Sequence, residues 1–570
     1  MRKIFKKILC TLLVVVMCLT SAPLGGFVGI ELPDLSVWFA DKASAANELE
    51  ATGQCGDDVY WNYDSATGEL VINGTGKMWD YEYNLPNRSS FYNTSIKSVV
   101  IEDGVTSIGE CSFYYSQLSD ITISESVTSI GTGAFACCSE LENIIISNGV
   151  KKIGINVFAS CYSLKTVAIG DNVETIGNYA FQNCYNLNSI VIPDKVNNMG
   201  EKTFMGCENL STVVIGDSLM SIGEATFQDC KNLVNVDIGS SVTTIGANAF
   251  RKCDGLKSVV IPDNVVTIEM YAFYWCEGLT SVTIGNGVKT IGVGAFSACK
   301  NLTELSLGDG LVNIGSSAFQ NCKMESLIIP DSVVTIGDGA FRYCNSITNI
   351  SLGKNVATIG KEAFESCSGV SNLILPESVK IISEKAFIGC YKLVSIHIPE
   401  NVTFIGEQAF KNCGNLENIT VDKDNKKYSC DEYGVLFDKI KTELIQYPMG
   451  NKRTSYTIPN GVKKVGDYSF YKYINGNLTE VIIPESVDKI GDYGFNGLNI
   501  DHLIIPDGVS YIGEWAFACC FNLTNIVIPA SVTYIGNYVF SYCINLNSIS
   551  VDKNNIYYSS DEDGVLFYID

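Results

Sequence analysis

The sequence predicts an α/β solenoid, a stack of short coils with a parallel β-sheet on one face and short helical or 3₁₀ segments on the other. Three observations predict it. Phenylalanine recurs every 22 or 23 residues from Phe113 to Phe410, and Phe470, Phe495, Phe517 and Phe540 resume the series. Within each period the apolar spacing changes from three- and four-residue steps to strict alternation. A proline such as Pro262, which cannot donate to a ladder, closes the alternating stretch.

The chain opens on an address. Arg2, Lys3, Lys6 and Lys7 precede an apolar run from Ile8 to Leu19, too short to span a bilayer comfortably and shaped like an export leader. Ala43-Ser44-Ala45 supplies small residues for cleavage after Ala45, and Met17 before Cys18 argues against lipidation. Residues 46–95 read as a cap. Leu70-Val71-Ile72 alternates between turn residues, as a hairpin shielding the first coil would.

The first array covers 96–421. In Ser241 to Pro262, Val242, Ile245, Ala249, Phe250, Cys253 and Leu256 follow helical steps, and Val259 and Ile261 alternate as a strand does. No single coil can bury its own apolar face, so coils must stack. About twenty of them at roughly 4.8 Å spacing would extend on the order of 100 Å. Ile-Gly precedes the phenylalanine in nearly every coil, but Glu269 and Ser383 stand in the glycine slot. That substitution argues for close approach between coils and against a left-handed backbone.

A variant coil interrupts the array at 422–455. Val421-Asp-Lys-Asp-Asn-Lys-Lys-Tyr428 and Gly434-Val-Leu-Phe437 return as Val551-Asp-Lys-Asn-Asn-Ile-Tyr-Tyr558 and Gly564-Val-Leu-Phe567. A second array covers 456–551, and 552–570 begins a second insert that stops short of the first one's length. That predicts a truncated or frayed end, because an open coil needs a cap.

The unit Ile-Gly-x-x-Ala-Phe-x-x-Cys-x-x-Leu-x-x-Ile-x-Ile-Pro resembles the leucine-rich repeat of BspA-like, or Treponema-type, surface proteins over about residues 96–551. Gly56-Asp-Asp-Val-Tyr-Trp61 and Gly74-Thr-Gly-Lys-Met78 resemble the cap of such arrays. The resemblance implies a leucine-rich-repeat horseshoe or arc. It also implies a secreted or wall-attached protein that binds matrix proteins of the fibronectin or fibrinogen type, or another cell surface.

Composition narrows the chemistry. The 570 residues carry 62 Asp+Glu against 39 Lys+Arg, net −23, with only two histidines, His397 and His502. Such a balance argues against nucleic acid or an anionic membrane surface as the natural partner, and two distant histidines leave little room for acid–base or zinc chemistry. Fifteen of the 22 cysteines sit three residues after the repeat phenylalanine, on the inward face. There a reduced thiol packs as a small hydrophobe with a weak donor, and Cys55 with Cys111 is the pair to test for a cap bridge. Asp422 and Asp424 sketch a calcium loop, but Tyr433 stands where a bidentate Glu is needed. No cofactor, metal or catalytic residue is expected, and no stretch after the leader is long enough to span a membrane.

The surface left for function is the outward column of the strands. Val191, Val214, Asp237, Val260, Thr283, Ile328, Ile374 and His397 represent it, with a single acid among them. Such a column is either the β-propensity of a parallel sheet or an apolar strip large enough to recognise a protein. The function expected is non-enzymatic protein binding or adhesion. The alternative is that the array is the targeting part of a larger wall-acting enzyme.

Overall fold

The computed structural model describes residues 48–569 apart from 84–85 and 472–476; the expected leader at 1–45 lies outside the described residues. The chain forms two compact units, divided between Leu279 and Thr280. In the first, strands Thr52–Gln54, Val59–Asp64 and Glu69–Gly74 form an antiparallel meander. The last of these pairs in parallel with Ser98–Ile101, which pairs with Asp120–Ile123. The meander thus converts an open hairpin into the first rung of the parallel stack. Trp61 packs edge-on against Phe91 at 5.2 Å, and Phe91 stacks on Phe113 at 5.1 Å.

Most coils carry two strands. A long one such as Ser189–Ile192 alternates exposed and buried residues, and a two-residue one such as Thr175–Ile176 forms a second parallel ladder. Between the short strand and the next long one lies the phenylalanine segment. Among the described residues it contains no helix, which corrects the helical or 3₁₀ face expected from the spacing.

The reason is where the amides point. Ala249, Arg251, Cys253 and Leu256 donate to carbonyls three residues back, at 3.0–3.3 Å. The alternate residues Asn248, Phe250 and Lys252 donate at 2.7–3.0 Å to Met270, Ala272 and Tyr274 of the next coil. A helix would keep every donor within its own segment. Turning alternate amides outward requires left-handed residues, and Asn248 and Lys252 have φ of 57° and 59°. Successive tight turns place side chains inward at three- and four-residue steps, which is why the sequence pattern mimics a helical face.

The phenylalanines form a stacked column. Rings from Phe113 to Phe273 in the first unit lie 5.0–5.5 Å apart and within 15° of parallel. In the second unit Phe296 to Phe410 continue the pattern at 5.3–5.8 Å. Beside them runs a thiol ladder. Cys253 Sγ donates to the Phe227 carbonyl of the preceding coil at 3.2 Å, and that carbonyl also accepts the Cys230 amide. Cys161 and Cys367 repeat this on Phe135 and Phe341 at 3.2 Å. The weak donor therefore has a job: it fills the second lone pair of a buried carbonyl. Cys55 is a buried free thiol, so no bridge joins it to Cys111.

Glycine in the Ile-Gly pair is there for proximity. A Cβ on Gly177 would sit 2.6 Å from the Gly154 carbonyl group, and Gly177 is not among the residues with positive φ. The first unit relaxes this contact once. Strands Asn198–Met199 and Ser221–Ile222 do not pair, and a shallow groove of about 460 Å³ opens there. In these two coils Thr203 and Thr226 replace the alanine before phenylalanine, and each hydroxyl bonds to its own coil's Gly200 or Gly223 carbonyl. A Cβ on Gly223 would meet nothing closer than 3.4 Å.

Two outcomes are expected. Gly177→Ala lowers stability by about 1–3 kcal/mol through overpacking against backbone, whereas Gly223→Ala is neutral or stabilising by up to about 1 kcal/mol. Denaturant unfolding of the two variants distinguishes them, and equal losses would contradict the proximity argument.

The thiols set an alkaline limit. Burial pushes Cys138, Cys344 and Cys390 up to about 12 from an ordinary 9.0. Below the unfolded value both states hold the proton and the stability is intact. Between the two values only the native state holds it, so stability falls by about 1.4 kcal/mol per pH unit for each such thiol. Urea unfolding across this range is expected to show stability level up to about pH 9 and falling steeply above it; a level profile to about pH 11 would contradict the ladder.

Candidate protein-binding face

The long strands point their second and fourth residues inward and their first and third outward. Val191, Val214 and Val260 are accordingly 59, 37 and 67% exposed, and Ile328 and Ile374 are 70 and 83% exposed. Asp237, Thr283 and His397 are exposed as well. The register places Val191 beside Val214 and Val214 beside Asp237. In the second unit the sheet holding Ile328 also holds His397, and Ile374 directly follows its strand Asn372–Leu373.

The face is segmented. Asn235–Asp237 does not pair with Ser258–Ile261, nor Glu304–Ser306 with Ser326–Ile328. A second outward column lies one pleat earlier, at Ser189, Thr212 and Asn235 in the first unit and Asn349, Asn372 and Ser395 in the second. It is polar and mostly uncharged, with Asp120, Glu304 and Glu480 as acids at the same position, and its members bond to each other, as Thr166 Oγ1 does to Asn143 Oδ1. His397 Nδ1 shares a 2.9 Å hydrogen bond with Thr420 Oγ1 in the same manner. His502 forms a single bridge with Asn525. Among the described residues no cluster of three His, Cys, Asp or Glu could hold a metal.

Acidic turn residues are occupied with stacking. Asp331 accepts the Lys354 amide at 2.9 Å and its Nζ at 2.7 Å, and these bonds hold the Asp331 carboxyl below its ordinary range. Asp217 accepts the amide and hydroxyl of Ser240 at 3.4 and 2.7 Å. Asp338 and Asp492 do the same for Lys361 and Glu514 at 2.8 Å. Each carboxylate covers an amide of the next coil that the ladders leave over.

The insert holds residues that sequence reasoning missed. Strands Tyr428–Cys430, Leu436–Asp438 and Glu443–Gln446 form an antiparallel meander, and the last rejoins the short-strand ladder beside Lys464–Val465. Its keystone is Asn425, fully buried. Nδ2 donates to the Pro399 and Val402 carbonyls at 2.7 and 3.1 Å, and Oδ1 accepts the Lys427 and Tyr428 amides at 2.8 Å. Asn555 makes the same four bonds in the second insert, to Pro529, Val532, Tyr557 and Tyr558. Tyr428 and Tyr558 each accept a strand amide, from Ile405 and Ile535. The signal was available as Asp-x-x-Asn-x-x-Tyr-Ser, present at 422–429 and again at 552–559. Asp422, weighed as a calcium ligand, accepts the Asp424 amide at 2.8 Å and closes the turn.

No helix among the described residues is long and apolar enough to cross a membrane. No curated protein matches the chain. Among solved structures it is similar to a leucine-rich cell surface protein of Faecalibacterium prausnitzii, at 33% identity and a TM-score of 0.42 over 55% of this chain and 83% of that one. It is also similar to a leucine-rich repeat protein of Bacteroides ovatus, at 23% identity and 0.42 over 87% and 99%, and to one of Eubacterium ventriosum, at 24% and 0.37 over 68% and 100%. The BspA-type leucine-rich repeat region, a pattern of six copies, matches residues 87–211, 197–323, 312–431 and 449–561. Those matches span most of the array, and the chain belongs to the BspA-type leucine-rich repeat family.

Proposed function

We propose that this is an exported, cell-surface or secreted binding protein that engages a protein ligand through the outward strand columns and performs no catalysis. The leader expected at 1–45 and the family's usual location support export. The observation that carries the binding reading is the division of labour within a coil. Turn carboxylates such as Asp331 and Asp217 are tied to amides of neighbouring coils. Val191, Val260, Ile328 and Ile374 each expose more than half of their surface.

A contact built from β-branched side chains and mostly uncharged polar neighbours suits a protein ligand of the extracellular-matrix type, fibronectin or fibrinogen, or a protein on another cell. Its affinity is weakly salt-dependent, in contrast to a contact held by the acidic turns. Energy spread over many coils makes single substitutions cheap. Binding of the protein to fibronectin and fibrinogen is therefore measured before and after placing Lys together at Val191, Val214, Val260 and Ile328, with folding verified by thermal unfolding. Several buried-contact losses at about 1 kcal/mol or more each predict at least a tenfold weaker complex. Unchanged affinity in the folded variant would place the site elsewhere.

A further inference from the structure

We infer that the hairpin tip of the first insert is a docking point for the surface of an acidic phospholipid bilayer. Five lysines, Lys423, Lys426, Lys427, Lys439 and Lys441, lie on the two segments that this hairpin pairs, and Ile440, between Lys439 and Lys441, is 78% exposed. Backbone contacts hold them near one another. The Lys439 amide donates to the Lys427 carbonyl at 2.8 Å, and Lys439 Nζ reaches the Lys423 carbonyl at 3.2 Å.

The nearby acids do not cancel them. Asp424 stands 4.0 Å from Lys423, both largely in solvent. Asp438 is occupied by the Thr442 hydroxyl and the Glu443 amide at 2.7 Å. The Asp422 carboxylate closes its own turn.

The pairing makes this more than a scatter of surface lysines. Tyr428 is opposite Asp438 in the antiparallel register, so Lys427 stands opposite Lys439. Like charges directly opposite one another destabilise a hairpin. The second insert shows that the fold does not need them. There the same hydrogen bond, from the Ile569 amide to the Tyr557 carbonyl at 2.8 Å, joins a tyrosine and an isoleucine. Asn555 and Tyr558 keep the keystone bonds, while Ile556 stands where the first insert has Lys426. Lys423 recurs as Lys553, but Lys426, Lys427 and Lys439 give way to Ile556, Tyr557 and Ile569 on the same scaffold, so these three lysines answer to something outside the hairpin.

Charge and shape select the partner. A net charge of −23 disfavours an anionic surface on average, yet screening confines each charge to about 8–10 Å at physiological ionic strength. A basic tip in contact with such a surface feels its own lysines more than the acids of distant coils. An exposed isoleucine at the apex gains by entering a headgroup layer and gains nothing from a soluble polyanion, which commits the site to a lipid surface.

The test uses the whole protein in flotation with phosphatidylcholine vesicles, with and without phosphatidylglycerol, at low and physiological salt. Binding is expected only to the acidic vesicles and weakens as salt rises. Lys426→Gln, Lys427→Gln and Lys439→Gln together reduce it by about tenfold or more. This variant relieves the opposed charges, so its thermal unfolding temperature is expected to hold or rise. Ile440→Ser is expected to weaken vesicle binding and leave heparin binding unaltered. Equal binding to neutral and acidic vesicles, or full binding by the triple variant, would overturn the proposal. Heparin binding with no vesicle binding would also overturn it, in favour of a soluble polyanion.

Discussion

Every second amide of the phenylalanine segment is given to the neighbouring coil, and the rest of the structure follows from that exchange. Phe250, Asn248 and Lys252 donate forward to the next coil while the residues between them close tight turns. Because a segment bonded in this way needs a neighbour at one repeat spacing, the phenylalanines stack at 5.0–5.9 Å. The slot facing the preceding coil must then be small, as the 2.6 Å approach at Gly177 requires. The thiol three residues after the ring completes the arrangement by donating back along the stack, as Cys253 does to Phe227. A serine would bring a stronger donor with a stricter partner requirement, and an alanine would leave the carbonyl's second lone pair empty.

Much of this was legible in the sequence, and the missing parts share one physical origin. The column, the alternating strands and the cap hairpin are local periodicities, and a period of 22 or 23 residues cannot be mistaken for anything but stacking. Helix and serial tight turns, in contrast, both return side chains to one face after three or four residues. Only the hydrogen-bond partner separates them, and a partner 22 residues away leaves no local trace. Among the described residues 31 non-glycine residues have positive φ, and all but Lys441 lie two residues before or after a phenylalanine of the column, yet tyrosine fills the slot more often than asparagine does. Two-residue strands such as Thr244–Ile245 are below any pattern length. Phe91, 22 residues before Phe113, extends the column into the cap region and escaped notice because the coil motif around it has decayed.

The candidate face was legible residue by residue and not as a surface. All eight predicted positions are exposed, because alternation in a strand decides inside from outside directly. The interruptions after Asp237 and Ser306 depend on how neighbouring coils meet and have no counterpart in the pattern. The insert was recognised as a repeated variant, but the work of Asn425 and Asn555 appears only when four hydrogen bonds are seen on one buried side chain.

The coil-to-coil exchange requires a left-handed rather than a helical turn segment, and one substitution separates the two by sign. Ala298 has φ of 60° and gives its amide to Gln320. Replacing it with glycine removes a Cβ and nothing else. In a helix Ala→Gly costs about 1 kcal/mol; at a left-handed position it removes a steric penalty of about the same size. Denaturant unfolding of Ala298→Gly is expected to show unchanged or increased stability. A loss of about 1 kcal/mol would restore the helical face and contradict the coil-to-coil exchange on which the fold is built.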